Sequence, residues 1–358
     1  MYFYDPDKIA LFQPFVKSFL FFIIDFSPEE MYTIEKQIIK EFQMAALVKD
    51  PRNIKLGIIG MTEGNGHPYS WSAIFNRYDV DAMTKECPFP GIPEYLNKED
   101  YNAMGIPGAR VAMVFCDKGS DAEHVARLSL IPEVAAKPED MIGKVDAVII
   151  ATDIGSEHRR RAMPFLEAGV PLFIDKPLCD DLEDLRFFKE KVEAGCPLIS
   201  SSSMRYAKEL LPWFHGNFHE IGELRFISMT MPKKWETYGI HALEALLAVT
   251  GPGYVSIRNT GSFQRNICHL KHAKGFDAVI ANSYDMMYNP VISLTGTKGS
   301  LNITLKDSYT SFRNQLVSFI DYLRTGVPPM PFSETEELMK LVAGGIASRE
   351  AEGKEIFI

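Results

Sequence analysis

The alternation of apolar strands with helical segments over residues 53–205 is the feature that most restricts how this chain can fold. Continuous apolar runs at 54–60, 110–116 and 145–152 are typical of strands that are buried on both faces of a sheet. The other elements of this region are predicted as helices at 69–79, 120–130, 156–169 and 180–195, and as strands at 171–175 and 197–202. A strand–helix–strand order of this kind predicts a doubly wound parallel sheet of the α/β class.

The pattern changes after about residue 206, where strand-like segments lie close together between turn residues. Examples are "GELRFISMTM" and "FDAVIANSYD". This spacing favours an α+β domain with a largely antiparallel sheet, and a helix is predicted from about 333 to 350. The change of pattern in a chain of 358 residues predicts two domains, at 53–205 and 206–358.

Residues 1–52 are interpreted as an N-terminal extension that packs on the body of the protein or on a partner. Its most apolar stretch, "KSFLFFIIDF", has an unbroken apolar run only from 19 to 24. A membrane-spanning helix needs roughly 18–20 apolar residues, so no membrane association is expected. A true start at Met44 is an alternative reading. Further along, residues 87–109 are rich in Pro and Gly and are expected to form an irregular insertion.

Charge and cysteine content exclude several classes of function. A net charge of −9 argues against nucleic acid as the main partner. The five cysteines are odd in number and form no C-x-x-C pair, so neither a disulfide scaffold nor a zinc site is expected. We therefore expect a cytoplasmic protein that binds a small molecule and no metal.

The stretch "IKLGIIGMTEGNGHPYSWS" at 54–72 runs from a strand through glycines into a helix. The dinucleotide fingerprint G-x-G-x-x-G keeps one glycine of three when counted from Gly60, and two when counted from Gly64. An ordinary glycine-rich turn is therefore the alternative to a nucleotide site. If the loop is a cradle, its glycines allow close approach of a pyrophosphate and its polar side chains add donors. The candidate cofactor contacts are Gly60, Thr62, Gly64, Asn65 and Gly66.

Asp117, directly after the strand at 110–116, is the candidate partner of the cofactor ribose. A carboxylate there accepts a hydrogen bond from the ribose 2′-hydroxyl and repels a 2′-phosphate, which favours NAD over NADP. Lys118 beside it softens that preference, and an ordinary strand-end aspartate is the alternative.

The segment "VDAVIIATDIGSEHRRRAMPFLEAGVPLFIDKPLCDDLEDL" at 145–185 resembles the signature region of the Gfo/Idh/MocA oxidoreductases, relatives of glucose–fructose oxidoreductase and inositol dehydrogenase. The matching positions are Thr152, His158, Glu167-Ala168-Gly169 and Asp175-Lys176-Pro177. Asp153 departs from the family pattern, which has Pro there, and Asp175 replaces the family Glu. The resemblance extends over about 53–358, without the insertion at about 80–109. It implies a Rossmann-type nicotinamide-binding domain, followed by a sheet domain that forms the substrate site and often the oligomer interface.

The resemblance implies that Lys176 is catalytic and that Thr152, Asp175 and Lys176 lie against the cofactor. Burial and a nearby oxidised nicotinamide would both favour the neutral amine of Lys176, which could then exchange a proton with a substrate hydroxyl. Pro177 restricts Lys176 to an extended backbone.

The segment "ETYGIHALEALLAVTG" at 236–251 resembles the family's D-x-G-x-H-x-x-D motif, with His241 as the histidine and Thr237 in place of the first Asp. On a helix these two residues share a face and could address one hydroxyl, although Thr cannot act as a base. A structural histidine is the alternative for His241. Arg205, Tyr206 and, more weakly, Tyr238 are candidate substrate contacts, with packing roles as the alternative.

These observations predict an NAD(H)-dependent dehydrogenase that moves a hydride between nicotinamide and a sugar, polyol or related hydroxy compound. Lys176 and His241 would handle the proton. Two alternatives stay open: a glycoside hydrolase with tightly held NAD, and a non-catalytic dinucleotide-binding sensor. A homo-oligomer through the C-terminal sheet is expected.

Overall fold

The computed structural model describes residues 46–216 and 218–358. Most of the predicted N-terminal extension, including its apolar stretch, lies outside the described residues. Within the described ranges, no helix combines the length and apolar character that a bilayer crossing requires.

The first half of the chain builds a six-stranded parallel sheet in the order β3-β2-β1-β4-β5-β6. Its strands are β1 Ile54–Ile59, β2 Ala109–Phe115, β3 Glu133–Val134, β4 Ala147–Ile150, β5 Leu172–Asp175 and β6 Leu198–Ser201. The apolar runs that predicted β1, β4 and β5 are almost entirely buried, as expected for strands covered on both faces. The predicted doubly wound sheet is therefore confirmed.

Six helices accompany this sheet among the described residues. They are α1 His67–Asn76, α2 Val80–Glu86, α3 Gly91–Leu96, α4 Gly119–Leu128, α5 Gly155–Glu167 and α6 Leu182–Glu193. The expectation of an irregular insertion at 87–109 is wrong in part, because α3 and a 3₁₀ turn at Tyr101–Ala103 lie within it. Asp100 caps that turn by accepting a hydrogen bond from the Asn102 amide, which supplies the local order that Pro and Gly alone do not predict.

The second half builds a seven-stranded sheet in the order β12-β11-β7-β10-β9-β8-β13. Its strands are β7 Leu224–Pro232, β8 Tyr254–Asn259, β9 Arg265–His272, β10 Asp277–Ser283, β11 Val291–Gly296, β12 Ser300–Thr304 and β13 Ile356–Phe357. Only β7 and β10 pair in parallel, so the prediction of a largely antiparallel sheet is confirmed. Helices α7 Ile240–Thr250, α8 Ser308–Thr325 and α9 Phe332–Glu350 complete this half.

Helix α8, which the sequence did not predict, packs against the first sheet although it follows the second. Phe319 of α8 lies against Phe173 of β5, with ring centroids 5.5 Å apart. The proposed boundary at residue 206 falls between the two sheets, but α8 contributes to the core of the first. This helix holds the first half of the chain to the second.

Trp235 fixes the segment that leads into α7. It opens a π-turn at Trp235–Gly239, is completely buried, and donates its indole N–H to the Val342 carbonyl at 2.9 Å. A Cβ added to Gly345 of α9 would lie 2.5 Å from the Trp235 Nε1 atom. The indole therefore fits only because α9 carries glycine opposite it, and this contact sets where α7 begins.

We expect Gly345→Ala to lower the free energy of unfolding by about 1–3 kcal/mol, because the added methyl group overpacks the Trp235 indole. Gly119→Ala is the matched control: it is also a helical glycine, but nothing lies within 4 Å of its added Cβ. Urea titration followed by circular dichroism measures both. Equal stability of the two variants would show that α9 can shift to admit the methyl group.

Candidate active site

The carboxyl ends of β1, β4, β5 and β6 meet at one edge of the first sheet. The strand order reverses between β1 and β4, which is where a doubly wound sheet leaves its ligand crevice. The chain follows these four strands with Thr62, Asp153, Lys176 and Ser202 respectively. Parallel topology alone therefore brings these polar residues to the same edge.

The three glycines of the loop after β1 have different surroundings. A Cβ on Gly60 would lie 2.5 Å from a proline ring carbon in the first turn of α1. A Cβ on Gly66 would lie 2.6 Å from the Phe89 ring, which the insertion places over the start of α1. Gly64 adopts a φ of +77°, and the atom nearest to its added Cβ is Lys233 Nζ, 3.9 Å away. Of the three, Gly64 leaves the most room for a ligand.

Asn65 joins the glycine loop to two other strand ends. Its side-chain amide donates to the Ala151 carbonyl at 3.1 Å and to Asp175 Oδ2 at 3.3 Å. Its Oδ1 accepts from the His67 amide at 2.9 Å. Because the side chain is buried and engaged within the protein, the geometry favours a structural role, and the predicted cofactor contact stays a prediction.

Asp153 and Lys176 form the buried ion pair of the crevice. Asp153 accepts a hydrogen bond from the Thr62 hydroxyl at 2.6 Å, across the gap between β1 and β4. Its other oxygen lies 3.6 Å from Lys176 Nζ, and the lysine side chain is only 3% exposed. Asp153, the departure from the family pattern, is therefore the carboxylate that holds the predicted catalytic lysine.

The carboxylates around Lys176 oppose the neutral amine that burial and a nicotinamide would favour. Burial alone would lower the pKa of Lys176, but the carboxylates of Asp175 and Asp153 outweigh burial and raise it. Burial opposes ionisation of Asp153 as well, yet Lys176 and the Thr62 hydroxyl hold the pKa of Asp153 below its ordinary value. In the protein alone, these carboxylates favour the ammonium form of Lys176.

His67 is a site residue that lies directly behind the glycine loop. Its Nδ1 is 2.6 Å from Asp175 Oδ2. Its ring stacks on Trp71 with centroids 4.4 Å apart, and it meets the edge of Phe312 of α8 at 5.3 Å. His67 therefore connects Asp175 to the aromatic contact between α1 and α8.

His241, at the start of α7, faces the same crevice from the second half of the chain. Its Nδ1 lies 2.7 Å from the Ser202 hydroxyl oxygen, which also accepts from the Met204 amide at 3.2 Å. Burial lowers the pKa of His241 well below 6.5, and the positive charge of Lys176 lowers it further. The imidazole is therefore neutral at ordinary pH.

Tyr238 lies between the two halves of the site. Its ring meets the His241 ring at a centroid distance of 4.9 Å, and Lys176 Nζ lies 5.4 Å from its centroid. Lys233 Nζ donates to the Tyr238 hydroxyl at 2.9 Å. Thr237 is half-buried within the π-turn rather than on a regular helix with His241, so the simple one-face relation expected of the two residues does not apply. The predicted role of Tyr238 in the site has a geometric basis.

Arg205 lies within a network of carboxylates. It forms ion pairs with Glu244 and, at 2.6 Å, with Glu334 of α9. Glu244 also accepts from the Ser202 amide at 3.0 Å, so the network supports the residue that contacts His241. The Tyr206 hydroxyl is buried beside the side chains of Ser201 and Ser318. This geometry favours structural roles for Arg205 and Tyr206, and their substrate contacts stay predictions.

Asp117 follows β2 as expected, and its carboxylate is bound by Arg161 of α5. Arg161 Nη1 donates to Asp117 Oδ1 at 3.0 Å, and the same guanidinium pairs with Glu157 at 2.8 Å. This hydrogen bond from Arg161 holds the pKa of Asp117 below its ordinary value. Two carboxylates face one guanidinium, so the group keeps a net negative charge, while Asp117 remains more than half exposed.

Several features at this edge fit a dinucleotide. The Thr152 hydroxyl, after β4, is buried and has no hydrogen-bond partner within the described parts of the chain. The backbone at Gly64 is open, and the Lys233 ammonium faces it. A cation beside an accessible glycine loop at a helix start suits a pyrophosphate. No group of three or more His, Cys, Asp or Glu that could hold a metal occurs within 46–216 or 218–358.

Four site residues were not identified from the sequence: His67, Asp153 in its pairing role, Ser202 and Lys233. His67 had a visible signal, because it directly follows the glycines. The roles of the other three depend on contacts with distant segments: Ser202 and His241 are 39 positions apart, and Lys233 faces Gly64. Only the fold brings these side chains together.

Comparison with known proteins agrees with this architecture. A family model described as "Oxidoreductase family, NAD-binding Rossmann fold" and named for Gfo, Idh and MocA matches residues 94–197. The match includes Asp117, Asp153 and Lys176 but begins after the glycine loop.

Curated relatives include inositol 2-dehydrogenase of Rhodococcus erythropolis, 37% identical over 103 residues, which are 28% of this chain and 30% of that protein. Inositol 2-dehydrogenase 1 of Mycolicibacterium vanbaalenii is 36% identical over 106 residues, 29% of this chain and 31% of that protein. The aligned segments thus span less than a third of either relative.

Solved structures share the fold over nearly the whole described chain. Myo-inositol dehydrogenase from Lactobacillus casei, in complex with NAD(H) and myo-inositol, has a TM-score of 0.65 at 16% identity, over 86% of this chain and 97% of that one. A myo-inositol dehydrogenase from Corynebacterium glutamicum has a TM-score of 0.63 at 15% identity, over 86% and 99%. The family match over residues 94–197 and the shared fold over 86% of the chain make this protein similar to the Gfo/Idh/MocA oxidoreductases.

Proposed function

We propose that this protein is an NAD(H)-dependent dehydrogenase that acts on a CH–OH group of a polyol or related sugar. One observation carries the proposal: an ammonium, Lys176, and a neutral imidazole, His241, flank the Tyr238 ring beside the glycine loop. A hydroxyl that is being oxidised needs a proton acceptor and a positive group near its oxygen, and these two side chains supply both.

The relatives support a polyol substrate. Two curated relatives are inositol 2-dehydrogenases, and the Lactobacillus casei enzyme was solved with NAD(H) and myo-inositol. The chain aligns with less than a third of the length of these curated relatives. The proposal therefore covers the substrate class and does not name the particular polyol.

The residues proposed to hold NAD lie along the carboxyl edge. Gly64 offers open backbone to the pyrophosphate, and the exposed part of Asp117 accepts from the adenosine ribose hydroxyls. Asp117 and Glu157 outweigh Arg161 in charge, so a 2′-phosphate would be repelled and NAD is favoured over NADP. When bound, the nicotinamide ring supplies the hydride acceptor or donor.

His241 is proposed to take the proton of the substrate hydroxyl. If Ser202 accepts the hydrogen on Nδ1, the lone pair of Nε2 is available to the substrate. Ser202 then acts as a positioning residue that fixes the ring and its tautomer. In the reverse reaction the protonated ring returns the proton.

Lys176 is proposed to bind the substrate oxygen through its ammonium rather than to act as a base. The Asp153 carboxylate keeps it charged, and a positive group beside the oxygen stabilises the negative charge that develops as the proton leaves. This assignment differs from proton transfer by a neutral lysine and follows from the carboxylate that replaces the family proline.

A homo-oligomer through the second sheet is part of the proposal. The open face of that sheet carries Phe226 and Ile267, which are 39% and 46% exposed. Their pairing with β10 puts both on the same face. Association of two such faces would remove these side chains from water.

We expect the purified protein to bind NADH more tightly than NADPH, measured by nucleotide fluorescence. Asp117→Asn should lower the affinity for NADH about 10-fold. It should also narrow the difference in affinity between NADH and NADPH, because the released Arg161 can accept a 2′-phosphate. Asp121→Asn, which neutralises a carboxylate four positions on, is the control. Failure of the wild-type protein to bind either nucleotide would overturn the proposed function.

His241→Gln and Lys176→Met should each lower kcat for polyol oxidation by about 10²–10⁴-fold, because each loses a group that acts on the reacting oxygen. Steady-state NADH production with myo-inositol, or the best polyol of a screen, measures this. His219→Gln, at an exposed histidine, should leave kcat unchanged. Full activity of either site variant would remove that residue from the reaction.

The pH profile of kcat tests the identity of the base. Burial keeps the pKa of His241 well below 6.5, so the ring stays an active base as pH falls through 6.5, and kcat should decline only at lower pH. Because the pKa of Lys176 is raised, deprotonation of this group should cause no loss of kcat below pH 10.5. An acid limb at 6.5 or above would assign the base to a different group.

A further inference from the structure

The backbone at Lys233 is in a conformation that side chains disfavour. Its φ is +60°, in the left-handed region, and the residue stands between β7 and the π-turn. A long side chain in this region is uncommon and points to a constraint imposed by the surroundings. The buried Trp235, two positions later, fixes the chain here and keeps Lys233 in place.

This backbone sends the lysine across the gap between the two halves of the chain. Its Nζ comes to 3.9 Å from the position of a Cβ on Gly64, and it donates to the Tyr238 hydroxyl at 2.9 Å. The Tyr238 ring lies beneath the ammonium, with its centroid 4.4 Å away. The lysine head is therefore held by an aromatic ring and its hydroxyl beside the open part of the glycine loop.

The charge of Lys233 is not balanced by a protein carboxylate. Among the residues that the structure describes, no Asp or Glu oxygen lies within 4.0 Å of its Nζ. Lys176, in the same crevice, has Asp153 at 3.6 Å. The ammonium of Lys233 also contributes to lowering the pKa of His241, so its field reaches into the site. An anionic group from a ligand would complete this arrangement.

We propose that Lys233 binds the pyrophosphate of the dinucleotide from the second half of the chain, opposite the backbone of Gly64. This inference rests on the proposed function and extends it, because the cofactor would then be held by both halves of the chain. A lysine ammonium binds phosphate oxygens as a compact point charge, and the strained backbone places it there before the ligand arrives.

The test compares the binding of NADH and ADP-ribose by wild type, Lys233→Met, Lys233→Arg and Lys234→Met. ADP-ribose keeps the pyrophosphate and lacks the nicotinamide; its affinity is measured by displacement of NADH fluorescence. We expect Lys233→Met to lower the affinity for both ligands about 10-fold to 100-fold, because a charge-assisted hydrogen bond is lost. Lys233→Arg should keep most of the affinity, and the neighbouring Lys234→Met should match the wild type.

Three results would overturn the inference. Wild-type affinity of Lys233→Met for both ligands would show that its ammonium does not touch the cofactor. A lower affinity for NADH with an unchanged affinity for ADP-ribose would place the lysine at the nicotinamide half of the cofactor or at the substrate. No binding by the wild type would overturn the proposed function as well, which separates that failure from the other two. A melting curve of each variant confirms that it is folded, and Lys233→Arg keeps the test valid if the methionine variant is not.

Discussion

The buried ammonium of Lys176 is the constraint around which this edge of the sheet is arranged. A charge removed from water is tolerated only when opposite charges and hydrogen bonds surround it. Asp153 and Asp175 provide the opposite charges, and each is held in turn: Asp153 by Thr62, and Asp175 by Asn65 and His67. The ends of β1, β4 and β5 are thereby joined through polar contacts in the interior. Removing either carboxylate would leave the buried ammonium with a single opposite charge.

The second half of the chain reaches this edge through two rigid contacts. Trp235, locked against the glycine of α9, sets the start of α7 and with it His241. Helix α8 packs on the first sheet and brings Phe312 to the His67 ring. The two carboxylate partners of Arg205 add a third, polar contact at the base of α7. The imidazole and the ammonium that flank Tyr238 thus come from separate halves of the chain but keep a fixed relation.

The sequence predicted the first sheet well because its strands are continuous apolar runs that end in polar residues. Strands β9 and β13 and helix α8 of the second half were not predicted, and β9 and α8 show why. In β9 the buried Cys268 and Leu270 alternate with polar residues, and only one face of the strand is buried. In α8 the apolar residues are mixed with Ser, Arg and Asn, and only contact with the first sheet explains why they are buried. Local pattern was insufficient in both cases because the burying surface lies elsewhere in the chain.

At the site, too, local pattern predicted some residues, while others depend on contacts that are distant in the chain. Lys176 and His241 were identified because a family resemblance fixed their positions, and Asp117 because a carboxylate after a second strand has a known use. The charge of Lys176 was not predictable, since it depends on where Asp153 and Asp175 direct their oxygens. Ser202 lies in the segment that suggested Arg205 and Tyr206, and Lys233 lies just before the His241 motif, but only the three-dimensional structure places them beside the crevice.

The carboxylate of Asp153 contacts two groups, one on each side of the point where the strand order reverses. One oxygen accepts a hydrogen bond from the Thr62 hydroxyl of the glycine loop, and the other forms an ion pair with Lys176. Any ligand that parts Thr62 from Asp153 alters the electrostatic support of the lysine, and thermodynamic reciprocity requires that the protonation of the lysine alter the affinity for that ligand by the same factor. Binding of a nucleotide at the glycine loop and protonation of Lys176 would then be coupled through the single carboxylate of Asp153.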